Sequence, residues 1–155
     1  MDAHAVVLAL HVAAGTLGLV LGAVVIWLSR DRPLLDGRSV TYHWSVLAVC
    51  LTAVGLSLLN LHELWWLIPL AAFAYSLALL GFVAPRRRFA GWRAAYAHGQ
   101  GGSYVALVTA LLVVSLTVDG PLKGASSALP WALPVVIGTL LIERWRQRLD
   151  GQRRT

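Results

Sequence analysis

Strongly apolar runs without charge follow one another along the chain, and short clusters of charged residues separate them. A helix needs about 20 apolar residues to cross the hydrocarbon core of a bilayer, where it satisfies its own backbone hydrogen bonds. The runs therefore predict five transmembrane helices, which cover about residues 4–28, 40–62, 64–84, 99–118 and 129–145. Pro130 and Pro134 make the beginning of the fifth run the least regular.

The positions of the basic residues support all five spans, because Lys and Arg collect in cytoplasmic loops. Five spans place all the arginines on one side: Arg30, Arg32, Arg38, Arg86, Arg87, Arg88, Arg93, Arg144, Arg146, Arg148, Arg153 and Arg154. Of the 13 basic residues, only Lys123 then falls on the opposite side. We therefore predict that the N-terminus is outside and the C-terminus is cytoplasmic, in a bacterial cytoplasmic (inner) membrane.

The short connections between the runs predict antiparallel neighbours. We expect an all-α fold, a compact five-helix bundle that forms one transmembrane domain over residues 1–155. The segment Arg86–His98 mixes arginines with aromatic residues, which is typical of a segment that lies along a membrane interface. It is predicted to lie along the inner interface, so that the fourth span begins after it.

Composition agrees with a membrane protein. The chain has 155 residues, of which 58% are hydrophobic and 13% are charged, whereas about 25% are charged in a typical soluble domain. The formal net charge of +6 comes from basic residues beside the apolar runs, a placement that fits a lipid bilayer as partner and not a nucleic acid. Cys50 is the only cysteine, so there is no disulfide framework and no Cys-x-x-Cys motif.

Two histidines share one face of the predicted first helix. At about 100° per residue, His4 and His11 fall on the same stripe as Gly15, Gly18 and Gly22. Small residues at this spacing allow two membrane helices to approach closely. The stripe is therefore predicted to pack against protein, with His11 inside the bundle and His4 at its outer mouth.

The predicted second helix carries a comparable small-residue face, which consists of Ser45, Ala48, Thr52 and Gly55. His62 ends this helix at the outer side, about level with His4, so that His4, His11 and His62 can converge in the outer leaflet. Three polar residues are close enough in depth to assist: Asn60, Glu63 and Asp119. His43 and His98 form a second candidate group at the cytoplasmic side. His43 points away from the small face of its helix, which indicates an interfacial side chain.

Histidines inside a helical bundle suit three kinds of chemistry. Opposed imidazoles can be the axial ligands of haem b, and the candidates are His11, His62 and His4, followed by His43 and His98. His11 and His62 can instead bind a transition metal such as copper or zinc, with a carboxylate nearby. A histidine that titrates near neutral pH can also relay protons, and an ionisable residue within the hydrocarbon is a functional candidate by default.

No motif identifies a reaction, so the sequence leaves open whether the chain is an enzyme. It contains no Ser/His/Asp set, no paired intramembrane carboxylates and no dinucleotide fingerprint. Gly99, Gly101, Gly102 and Ser103 could open a helix that binds phosphate. The P-loop lysine is missing, however, and a close-packed helix start is the favoured interpretation.

The stretch HGQGGSYVALVTA, which begins at His98, resembles a motif of a bacterial family of small polytopic membrane proteins of unknown function. The stretch HVAAGTLG, from His11 to Gly18, resembles the first helix of the same family. The resemblance implies a polytopic helical fold, marks His11 and His98 as family-type positions and implies no activity. Such relatives often carry a histidine ahead of a Gly-Arg pair. Asp36 precedes that pair here, and the nearest histidine is His43.

Three functional hypotheses follow from these observations. The first is a histidine-containing intramembrane site that binds haem or a metal, or handles protons or electrons. The second is a structural or accessory subunit of a larger membrane complex, or a homo-oligomer, with the face of Gly15, Gly18 and Gly22 as the contact surface. The third is a small transporter or channel.

Overall fold

The computed structural model describes residues 2–59, 61–118, 120–122 and 124–151, and these form helices and connecting loops without a strand. The helices are α1 (Ala3–Leu28), α2 (Gly37–Leu59), α3 (Leu61–Leu64), α4 (Leu67–Arg87), α5 (Trp92–Val113) and α6 (Leu129–Gly151). A π-helical turn, Val114–Val118, continues α5, and a 3-10 helix, Gly124–Ala128, precedes α6. Lys123, Arg153 and Arg154, which contribute to the predicted orientation, lie outside the described residues.

In this part of the chain, five helices are long and apolar enough to cross a membrane: α1, α2, α4, α5 and α6. The prediction of an all-α chain with five candidate spans is therefore confirmed. The prolines do not interrupt the last span, because Pro130 lies in the first turn of α6, where a missing N–H removes no helical hydrogen bond. Pro134 removes only the bond to the carbonyl of Pro130, one turn into the helix.

α2 begins earlier than the hydrophobic pattern predicts. It begins at Gly37 because the carboxylate of Asp36 accepts hydrogen bonds from the backbone N–H groups of Arg38, at 3.1 Å, and Ser39, at 3.3 Å. This is the usual way in which an aspartate caps the N-terminus of a helix. The predicted boundary at about residue 40 followed the apolar run and missed the cap.

The segment 86–98 is divided between α4 and α5 instead of forming a separate interfacial segment. α4 ends at Arg87 and α5 already begins at Trp92. The turn between them is tight, since Arg88 and Gly91 both adopt left-handed backbone conformations, with φ of 46° and 79°. Arginines do not have to end a membrane helix, because their long side chains reach back to the headgroup region.

Four of the spanning helices form a closed ring in which α1 packs on α2, α2 on α4, α4 on α5, and α5 on α1. α6 packs against α5 on the outside of this four-helix bundle. At one end, Trp145 of α6 donates a hydrogen bond to the carbonyl of Ser29, at 3.2 Å, and the N–H of Leu34 donates to the hydroxyl of Tyr96, at 3.4 Å. The described arginines cluster around this end, which we call the arginine-rich end.

The closest approach between helices is the crossing of α4 and α5 at two glycines. A methyl group on Gly99 would collide with the backbone nitrogen and Cα of Gly81, and with the carbonyl oxygen of Leu77. A methyl group on Gly81 would likewise collide with the backbone of Gln100. Only glycine permits this backbone contact. The crossing sets the position of α5, and with it the polar residues that α5 carries into the bundle.

Candidate functional site

His11 lies well inside α1, in the half of the bundle that is opposite the arginine-rich end. It is eight residues beyond the first residue of α1, or about 12 Å along the helix axis. The ring is partly buried, and its Nδ1 is 2.9 Å from the hydroxyl oxygen of Thr52 on α2. The small-residue faces of α1 and α2 therefore meet at a histidine–threonine hydrogen bond.

The direction of this hydrogen bond follows from counting protons. A threonine hydroxyl has one proton, and that of Thr52 donates to the carbonyl of Ala48 at 2.7 Å, with the carbonyl of Val49 at 3.0 Å. Its oxygen is then an acceptor for the N–H at Nδ1 of His11, and this arrangement satisfies both the hydroxyl and Nδ1. In the neutral imidazole the second nitrogen, Nε2, therefore keeps a free lone pair. The hydrogen bond thus fixes the tautomer of the imidazole and leaves Nε2 as its basic nitrogen.

His4 and His62 are both exposed, in the first turn of α1 and in the short helix α3 respectively. Among the described residues, no group of three or more His, Cys, Asp or Glu side chains is arranged to hold a metal ion. Asn60 and Asp119, together with the side chain of Glu63, lie outside the described residues. His11 thus differs from the other two candidate histidines in burial and in having a defined hydrogen-bond partner.

His43 is buried, and the interfacial position predicted for it is wrong. Its side chain is 7% exposed, and its ring stacks on Phe82 of α4 with centroids 4.3 Å apart and planes 21° apart. Tyr75, also on α4, lies 5.6 Å from it. The prediction assumed that α2 buries one face, whereas α2 packs against α1 on one side and α4 on another, so two of its faces are covered.

Four buried polar residues, which we call the buried polar cluster, lie in the arginine-rich half of the bundle: Tyr42, His43, Gln100 and Ser103. Tyr42 meets Ser103 of α5, whereas the ring of His43 lies against α4. The hydroxyls of Tyr42 and Ser103 are 2.9 Å apart, and Ser103 donates to the carbonyl of Gln100 at 3.0 Å. Two nitrogens in the cluster, His43 Nδ1 and Gln100 Nε2, are buried without a hydrogen-bond partner. Unpaired buried polar atoms are rare in native proteins.

The sequence pattern did not single out Tyr42 or Gln100 as functional residues. Gln100 is the one amide within a run of glycines, and that polar exception inside an apolar segment was the available signal. Tyr42 is adjacent to His43, but only the tertiary structure reveals that its hydroxyl reaches across the bundle to Ser103 of α5. Two helices, α2 and α5, supply these residues, and two others, α4 and α1, pack against them. The face of a single helix therefore could not predict the cluster.

His98 occupies the second turn of α5 and is exposed. Its Nδ1 donates to the carbonyl of Ala94, at 2.8 Å, in the preceding turn of the same helix. His43 instead lies against α4. The structure thus places the two histidines of the second candidate group in different surroundings, one against a neighbouring helix and one at the surface.

Comparisons with known proteins add no assignment. No protein-family model, curated protein or solved structure matches the chain. The resemblance of the His98 and His11 stretches to a family of small membrane proteins therefore stays a prediction, and the site has to be interpreted from its own geometry.

The glycine stripe of α1 packs within the chain. A methyl group on Gly22 would lie 2.5 Å from the ring of Tyr104 and 2.7 Å from that of Tyr42. One on Gly18 would lie 3.3 Å from Leu107 of α5. Because α2 and α5 already cover this stripe, a partner protein would have to contact another surface.

The glycines that were considered for phosphate binding also serve packing. Gly99 contacts Gly81, and methyl groups on Gly101 and Gly102 would meet the side chains of Ile142, at 2.6 Å, and Leu77, at 3.1 Å. These glycines lie inside α5 and not at its start, which excludes them from a helix N-terminal anion site.

Proposed function

We propose that this chain is a multi-pass protein of a bacterial cytoplasmic membrane that relays protons, with His11 as the principal relay group. The observation that carries the proposal is the hydrogen bond from His11 Nδ1 to Thr52, whose own proton is committed to α2. That bond orients the ring and leaves Nε2 free to accept and release a proton. An ionisable side chain at such a depth is costly to keep unless it has a use.

The buried polar cluster supports the same proposal. It supplies two unpartnered nitrogens, on His43 and Gln100, toward the arginine-rich end, whereas His11 lies toward the opposite end. Groups that can donate or accept protons thus occur in both halves of the bundle. His43 is a second candidate relay group, and the paired hydroxyls of Tyr42 and Ser103 lie in the same half of the bundle.

Proton relay also suits a single imidazole better than a metal centre built from protein ligands. A structural or catalytic metal ion takes three or four side-chain ligands, whereas His11 has a hydroxyl as its defined neighbour. Haem needs fewer protein ligands than such a metal ion. A Soret band in the purified protein, which is one outcome of the tests below, would reveal it.

Substitution of His11 tests the proposal in proteoliposomes that contain a pH-sensitive dye. A potassium diffusion potential drives protons inward, and the rate of acidification is measured. We expect His11→Gln to lower the rate by about 100-fold, the usual effect of removing a positioned proton-transfer group. We expect Thr52→Val to give an intermediate rate, because the imidazole remains but loses its orienting acceptor.

His4→Gln is the matched control, since His4 is exposed on the same helix, and it should conduct like the unmodified protein. Equal rates for His11→Gln and unmodified protein, or no flux above that of empty vesicles, would refute proton relay. A Soret band or stoichiometric metal that disappears in His11→Gln would reassign Nε2 to ligation of iron or another metal.

The proposed orientation places the N-terminus outside and the arginine-rich end in the cytoplasm, because arginine favours cytoplasmic loops. Asp2→Cys and Gly151→Cys, each in a Cys50→Ser background, test it with a membrane-impermeant maleimide. We expect position 2 to react in intact spheroplasts and position 151 to react only after lysis. The reverse pattern would overturn the orientation.

A further inference from the structure

An apolar groove runs along the outside of the bundle where α6 lies on α5, and α1 closes it at the arginine-rich end. Its volume is about 370 Å³, within the range of about 300–1,000 Å³ that small-molecule sites occupy. α5 forms the floor, α6 forms one wall, and Ile26 is the contribution of α1. Representative lining residues are Val105, Val108 and Leu112 on α5, and Ile137 and Leu141 on α6.

The groove has the length of one lipid chain. On α6 it extends from Leu133 to Trp145, which is 12 residues or about 18 Å at 1.5 Å per residue. Half of a hydrocarbon core about 30 Å thick is about 15 Å. The groove ends near Trp145 and Ile26, close to the end of α1, so a chain lying in it would have its polar head beside the arginine-rich end.

Two arginines continue the groove-lining face of α6 beyond its apolar part. Arg144 and Arg148 follow Leu141 by three and seven residues, a spacing that keeps them on one helix face. Both are exposed, and within the described part of the chain neither forms an ion pair. The mouth of the groove therefore carries positive charge without a protein partner.

The neighbouring charges are already paired. Arg146 binds both Glu143 and, at 3.3 Å, Asp150, so these two carboxylates are not available to Arg144 or Arg148. Arg30, at the end of α1, lies 3.7 Å from Asp31. Among the charged residues of α6 that the structure describes, Arg144 and Arg148 are thus the cations without a carboxylate partner. Their complement is an anion at the depth of the lipid headgroups.

We propose that this groove binds an anionic phospholipid, with one acyl chain along α5 and α6 and its phosphate beside Arg144 and Arg148. The apolar groove matches the chain, and the unpaired arginines match the headgroup. Neither part involves His11, so the proposal of a lipid site is independent of the proposal of proton relay.

Native mass spectrometry in mild detergent tests the site by counting retained lipids. Protein is titrated with phosphatidylglycerol or with phosphatidylcholine of identical acyl chains. We expect phosphatidylglycerol to be retained at least about fivefold more strongly, since each basic residue near an anionic surface contributes an effect of that size. We expect Arg144→Gln/Arg148→Gln to abolish the preference, and Arg87→Gln/Arg88→Gln, at the α4–α5 turn, to preserve it.

A second pair of variants tests the acyl-chain part. Val108→Phe fills the floor of the groove and should reduce the retention of both lipids, whereas Val136→Phe, on an exposed face of α6 outside the groove, should not. If Val108→Phe loses helical circular dichroism, Leu112→Phe replaces it. Equal retention of the two lipids by unmodified protein, an unchanged preference in the double arginine variant, or unchanged retention after the groove is filled would overturn the proposal.

Discussion

Gly99→Ala is expected to lower the free energy of unfolding by about 3 kcal/mol, the upper part of the usual range for overpacking a core. The added methyl group would collide with the backbone of Gly81 and the carbonyl of Leu77. Backbone atoms cannot rotate away as a side chain can, so α4 and α5 must separate and lose packing around the crossing. The measurement is the loss of helical ellipticity when detergent-solubilised protein is titrated with sodium dodecyl sulfate.

Gly37→Ala is the matched control, because nothing lies within 4 Å of a methyl group at Gly37. It should leave stability unchanged or raise it slightly, since alanine favours helix over glycine. Gly81→Ala/Gly99→Ala should cost less than the sum of the single variants, by about 1 kcal/mol, because one separation of the helices relieves both collisions. Full additivity would mean that the two glycines do not share one crossing.

Trp145→Ala is expected to lower the free energy of unfolding by about 3–5 kcal/mol, as for other buried tryptophans. The side chain is 7% exposed and packs edge-on against Tyr96 with centroids 5.4 Å apart. Its indole N–H bonds to the carbonyl of Ser29, so the residue ties α6 to α5 and to the end of α1. Removing it leaves both a cavity and an unpaired carbonyl.

Two comparisons separate these contributions in the same denaturation assay. Trp145→Phe keeps most of the packing and loses the N–H, so it should cost about 1–3 kcal/mol for the carbonyl left unpaired. Trp27→Ala should change stability little, because Trp27 is 67% exposed and faces the surroundings of the bundle. A loss at Trp27→Ala equal to that at Trp145→Ala would contradict the role assigned to the α6 attachment.

The candidate site was partly predictable from periodicity. His11 and Thr52 were each placed on the small-residue face of a neighbouring helix, and these faces do meet at a hydrogen bond. The direction of that bond was not predictable, because it depends on Thr52 donating to the carbonyl of Ala48. His43 was misplaced for a related reason, since a helical wheel cannot tell how many neighbours a helix has.

The boundaries of the fourth span show a different limit. The fourth span was expected to begin only at residue 99, after the charged segment. α5 begins at Trp92 instead. Hydropathy reports whether a side chain favours water or lipid, and not whether its backbone is helical. An arginine can reach the headgroup region while its backbone stays in a helix that continues past the hydrocarbon. Helix ends are decided instead by local backbone features, such as the N-cap at Asp36 and the left-handed conformations of Arg88 and Gly91.

The amino-acid sequence by itself determined that the chain has five helices suited to a membrane. In lipid, the backbone N–H and C=O groups of an apolar run of that length can pair with one another only if the run is helical. Only the tertiary structure decided that four of them form a ring with α6 outside, that Gly81 meets Gly99, and that Tyr42 meets Ser103. Membrane helices have no solvent-driven preference for one apolar neighbour over another. Their pairing is therefore decided by close packing and hydrogen bonds between residues far apart in the chain, which a local pattern does not contain.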